Sequence, residues 1–162
     1  MQTHGLRYEV TERPWDELLG EFHELAIKSP RFTPIAEILR SVISSGLASS
    51  LAASTSMHDL VVVTSPPPAV PFDAIRVSVN SDVTAGHGGD FVTIRHLSVT
   101  GLDDEVSRPA TEAVALFWRF VIEKFGLDQH SAQSAGQKLN AGPLLIHDER
   151  SSRDSSRSTP VL

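Results

Sequence analysis

Three consecutive stretches, residues 60–64, 75–79 and 91–99, carry the hydrophobic signature of β-strands with no helical pattern between them. Strands that follow one another without a crossover of a dozen or more residues do not pair in parallel, so this order restricts the sheet to an antiparallel meander. Residues 60–64 (Leu-Val-Val-Val-Thr) form a continuous apolar run, the pattern of a strand covered on both faces. Ile75, Val77 and Val79 alternate with Arg76 and Ser78, as in a half-buried strand. Within 91–99 the alternation changes phase, from Val92 and Ile94 to Leu97 and Val99, and a bulge near Arg95-His96 would account for the shift. Pro66, Pro67, Pro68 and Pro71 make a stiff extended link between the first two strands. Residues 80–90 make a long glycine-rich one between the second and third.

Helical periodicity flanks this block. Pro14 opens a stripe of Trp15, Leu18, Leu19, Phe22, Leu25 and Ala26, which stops at Ser29-Pro30. Thr33-Pro34 restarts it as Ile35, Ile38, Leu39, Val42 and Ile43, fading through Leu47 and Leu51. Gly46 in an Ala/Ser-rich end predicts fraying or a kink after about Ser45. Beyond an acidic turn at 101–105, Pro109 opens the strongest stripe, Ala113, Val114, Phe117, Trp118, Val121, Ile122 and Phe125, closed by Gly126. Leu6, Tyr8 and Val10 alternate as a short edge strand. The expected fold is α+β, in the order ααβββα: two N-terminal helices, a three-stranded antiparallel meander and one long C-terminal helix packed on the sheet. It forms a single domain over residues 1–126. Residues 127–162 read as a mostly disordered Ser-rich tail, in which only 143–147 have the pattern of a short strand able to dock. A sheet this narrow with a two-sided apolar strand points to a homodimer, unless one of the first two helices covers that strand.

Composition removes several classes of function. The formal charge of −6 gives no basic field for a phosphate backbone, so nucleic acid is not an expected partner. Without cysteine there is no disulfide, thiolate catalysis or cysteine-ligated metal. No apolar run approaches the roughly 18 residues of a membrane span, and the N-terminus has no apolar signal region, so a soluble, cytoplasmic protein is expected. His4, His23, His58, His87, His96, His130 and His147 form no H-x-x-x-H or H-E-x-x-H pair, and neither metal nor cofactor is expected. The stretch 85–90, Ala-Gly-His-Gly-Gly-Asp, precedes a strand where a phosphate loop would precede a helix, and so reads as a plain hairpin loop. Asp103, Asp104 and Glu105 lack calcium-loop spacing and suit the start of a helix instead.

One constellation carries recognition chemistry. If Val77 and Ile94 face inward, then Arg76, Ser78, Thr93 and Arg95 share the outward face, because residues opposed across antiparallel strands point the same way. Two adjacent guanidinium groups repel unless something negative lies near them, which suggests an anion or carboxylate patch. The plainer reading is neutralisation by Asp73, Asp90 or a helix glutamate. His58, at a strand entrance, and His96, near the suspected bulge, are the histidines best placed to join the patch. With no G-x-S-x-G elbow, the serines make no nucleophile constellation, and the sequence leans away from an enzyme. The reading that follows is a non-catalytic binding or protein-interaction domain acting as a homodimer on a protein partner or a small anion. The alternative is a small ligand-binding protein or enzyme whose pocket is lined by Arg76, Arg95, His96 and His58, with His96 as acid or base. A third is a regulatory partner that uses the tail as its recognition segment.

Overall fold

The computed structural model describes residues 5–81 and 90–127. Helix α1 (Trp15–Lys28) follows Pro14 and stops at Ser29, whose extended backbone precedes Pro30. A 3₁₀ turn, Pro30–Phe32, leads directly into α2 (Thr33–Ser45), which ends where Gly46 takes the left-handed conformation. Helix α3 (Ala113–Phe125) ends the same way at Gly126. Between them lies one antiparallel sheet of five strands in chain order: β1 (Leu51–Ser56), β2 (Asp59–Thr64), β3 (Ala74–Ser81), β4 (Asp90–Leu97) and β5 (Asp104–Pro109).

The class is α+β, as expected, but the sheet has five strands where the sequence pattern suggests three. Leu51–Ser56, read as the fading end of α2, is β1. Gly46 ends the helix, and the segment pairs over its whole length with valine-rich β2 through the two-residue turn Met57-His58. Asp104–Pro109, read as an acidic turn and the first helical residues, is β5. Pro109 closes that strand opposite Phe91, and a 3₁₀ turn, Ala110–Glu112, carries the chain into α3. No bulge interrupts β4, whose register with β3 runs unbroken from Ala74–Leu97 to Ser81–Asp90. The change of phase has another cause: each face of the sheet is apolar over a different part of its area. The glycine-rich stretch 82–89 and the tail from residue 128 onward lie outside the described residues.

All three helices cover one face. Leu60, Val62, Ile75, Val77, Val92 and Ile94 form a single apolar cluster with Leu18 and Phe22 of α1, Ile35 and Ile38 of α2, and Phe117 and Val121 of α3. Helix α2 contacts α1, α3 and β3, while α3 lies on β4 and β5. The indole of Trp118 donates to Ser41 Oγ (3.0 Å), tying α3 to α2, and that of Trp15 donates to the carbonyl of Ala48 (3.0 Å).

The second face is covered at one end only. Ala52, Val61, Val63, Ala74 and Leu97 are buried beneath Leu6 and Phe72, with Val10 against them. Leu6 and Phe72 exchange both backbone hydrogen bonds (2.9 and 3.3 Å), so the N-terminal segment lies across the sheet and is no edge strand. Gly5 allows this approach. Its φ is +67°, and a Cβ there would sit 2.8 Å from the Phe72 carbonyl oxygen and 2.9 Å from Val99. The two-sided burial expected of residues 60–64 is thus supplied within the chain, by helices on one side and by Leu6 and Phe72 on the other. Neither a second chain nor a helix on that side is needed to cover it. The sheet edges are guarded too. The Arg13 amide donates to the Ala53 carbonyl on the outer side of β1 (2.9 Å), and β5 carries Pro109 and the charged Asp104, Glu105 and Arg108.

Candidate functional site

Beyond the Leu6–Phe72 cover the second face lies open, and the register arranges it in rows across the strands. Nearest the cover, Arg76 of β3 stands directly opposite Arg95 of β4, which stands opposite Glu105 of β5. The next row along the strands holds Ser78, Thr93 and Ser107, with Asp59 at its β2 end. Asn80, Phe91 and Pro109 make the row beyond that. Asn80 Nδ2 donates to Thr93 Oγ1 (3.1 Å), and Thr93 shares a hydrogen bond with Ser107 (2.7 Å). The first two rows and Asn80 line a shallow concavity of about 470 Å³, within the size range of small-molecule sites.

Sequence reasoning brings Arg76 and Arg95 together, and the structure opposes them. Their neutralising groups are other than those expected. Arg76 Nε donates to Asp59 Oδ2 (2.7 Å), with Nη2 2.6 Å from the same oxygen. Arg95 engages Glu105 in the same way, through Nε and Nη2. Asp73, proposed for this role, instead accepts the Val99 amide (2.7 Å), and no helix glutamate reaches the pair among the described residues. With Asp59 reaching Arg76 from the neighbouring row, the charges run minus, plus, plus, minus from β2 to β5. Each guanidinium spends one edge on its own carboxylate, and among the described residues no hydrogen bond engages either Nη1. The arginine side chains remain 36% and 48% exposed, so both are open to a ligand.

The two histidines join neither this patch nor each other. His96 is the register partner of Ile75 and lies on the helix-covered face, 7% exposed, with Nε2 3.8 Å from Asp73 Oδ2. Neither ring nitrogen has a hydrogen-bond partner among the described residues. Burial pushes its pKa below the ordinary histidine value, with Asp73 opposing that shift and Lys124 adding to it. His58 sits in the β1–β2 turn with its ring 5.7 Å from that of Phe32. The acidic run is divided among three tasks. Asp103 accepts the Ser98 amide (2.9 Å), Glu105 holds Arg95, and Asp104 takes Lys124 (3.0 Å), whose hydrogen bond keeps that carboxyl below its usual range. No group of three or more His, Cys, Asp or Glu side chains among the described residues stands close enough to hold a metal ion. No helix among them is long and apolar enough to cross a membrane.

Asp59 and Glu105 are the site residues that sequence reasoning missed, because Glu105 lies on a strand that left no pattern and Asp59 meets Arg76 only through the register of β2 with β3. Compared with protein-family models, curated proteins and solved structures, the chain gives no significant match.

Proposed function

We propose that this protein is a non-catalytic binding protein that recognises a carboxylate on the open half of its sheet. One observation carries the reading: two arginines stand opposed across adjacent strands, each oriented by its own carboxylate, with no hydrogen bond to either Nη1 among the described residues. Guanidinium planes fixed before binding lose little side-chain freedom when they grip a ligand, the usual advantage of a preorganised site. The charge row favours a carboxylate over a phosphate. Asp59 and Glu105 offset much of the arginines' charge, so the free guanidinium edges can hold one negative charge, while a second adds dehydration with little attraction to repay it. The reading assigns no proton transfer to His96, which faces the other side of the sheet.

The test is a titration of the full-length protein with sodium acetate against sodium chloride at matched ionic strength, read at the arginine Nε–Hε resonances. Saturable shifts at Arg76 and Arg95 with acetate alone, lost in Arg76→Ala and Arg95→Ala, are the expected result. Equal responses to the two salts would end the proposal. This reading needs no second copy of the chain, because Leu6 and Phe72 cover the apolar cluster of the second face and both edges are guarded. Light scattering is accordingly expected to give a mass near 17.6 kDa, and a stable dimer at micromolar concentration would contradict that expectation.

A further inference from the structure

The open face changes character along the strands in a way that a bare carboxylate does not use. From the Leu6–Phe72 cover outward, the paired arginines come first, then the hydroxyls of Ser78, Thr93 and Ser107, then Phe91 with Pro109 beside it. Successive rows lie two residues apart, about 6.6 Å, so Arg95 and Phe91 are separated by about 13 Å along β4. Phe91 is half-buried and Pro109 exposed, and they are register partners. A ring and a proline side by side on a sheet face make a flat apolar surface suited to stacking. The middle row offers hydroxyls that both donate and accept, which suits amide or hydroxyl groups and adds no charge.

Resting on the carboxylate reading above, we infer that the ligand is a small organic monocarboxylic acid whose acid group is joined by a polar linker to a planar ring, with about 13 Å from the acid to the far edge of the ring. The carboxylate sits between Arg76 and Arg95, the linker crosses Ser78, Thr93 and Ser107, and the ring lies on Phe91 and Pro109. The direction along the strands follows from the placement of charge, since the row of Phe91 and Pro109 carries no arginine and the row of Arg76 and Arg95 no aromatic side chain. A ligand crossing the strands instead would meet Asp59 or Glu105 at either end, which repels an acid.

N-benzoylglycylglycine is the probe of matching shape, because two extended residues span about 7 Å and the benzoyl group supplies the rest. Titrated into the full-length protein, it is expected to bind about tenfold or more tightly than N-acetylglycylglycine, which lacks only the ring. N-benzoylglycylglycinamide, which lacks only the acid, is expected to lose a similar factor. Phe91→Ala should bring the benzoyl compound down to the affinity of the acetyl one, and the comparison of the two compounds on the unaltered protein stands even if that variant folds poorly. If the acetyl compound shifts the Arg76 and Arg95 side-chain resonances and the ring adds nothing, this inference is overturned and the carboxylate site survives. If neither compound shifts them, both readings fall.

Discussion

Replacing Phe117 by alanine is expected to lower the stability of the protein by about 3–5 kcal/mol, the range for deleting a fully buried aromatic side chain. The ring is entirely removed from solvent and belongs to the cluster that joins α3 to Val77 of β3 and Ile94 of β4. It meets Trp118 edge-on, with ring centroids 5.5 Å apart, while Trp118 in turn is hydrogen-bonded to Ser41 of α2. A cavity at this point loosens α3 from the sheet and weakens its tie to α2. A domain of this size has about 5–15 kcal/mol to lose, so the variant should sit near the edge of folding. Urea unfolding followed by far-UV circular dichroism measures the change. A loss below about 1.5 kcal/mol would mean that the helix does not depend on this contact.

Acid is expected to weaken the fold through His96. The imidazole is buried on the helix side of β4, its two nitrogens lack partners among the described residues, and the charged groups acting on it are Asp73, Asp103, Asp104 and Lys124. Burial is the dominant influence and lowers its pKa, so the folded state favours the neutral ring. The unfolded chain binds a proton near pH 6.5, the ordinary histidine value. Above that pH the contribution of the neutral ring is complete. As the pH falls below it, the unfolded state takes up a proton that the folded state resists, and stability is lost at up to about 1.4 kcal/mol per pH unit until the folded pKa is reached. His96→Leu removes both the titration and two unsatisfied polar atoms, so it should match or exceed the parent at pH 7.5 and surpass it increasingly toward pH 5. Urea midpoints for both proteins across that range decide the matter. A parent that gains on the variant as the solution is acidified would show that Asp73, 3.8 Å away, outweighs burial.

The parts of the fold that were legible are those in which a short stretch of chain declares its own buried face. The stripe Phe117–Trp118–Val121 and the alternation of Ile75, Val77 and Val79 are periodic in themselves, and Val77 and Ile94 lie fully buried toward the helices as that periodicity requires. The same alternation placed Arg76 beside Arg95. β5 was invisible for the opposite reason. Of Asp-Glu-Val-Ser-Arg-Pro only Val106 is apolar, since an exposed edge strand buries almost nothing and so leaves no hydrophobic trace. β1, Leu-Ala-Ala-Ser-Thr-Ser, has Thr55 as its only β-branched residue and holds its conformation through pairing with β2. With β5 unseen, Glu105 had no visible place beside Arg95, and Asp59, just before the apolar run 60–64, found its place beside Arg76 only through the register of β2 with β3 across the proline-rich link.

By itself the chain's residue order determined the three helices, three of the strands, the α+β class and the outward pairing of Arg76 with Arg95. Each follows from periodicity or from antiparallel geometry over a few neighbouring positions. Tertiary structure alone decided that Leu6 and Phe72 cover one end of the second face, that Asp59 and Glu105 orient the arginines, and that His96 turns away from them. Those outcomes depend on contacts between residues far apart in the chain. Their free energy arises only when distant segments meet, so no local pattern records them.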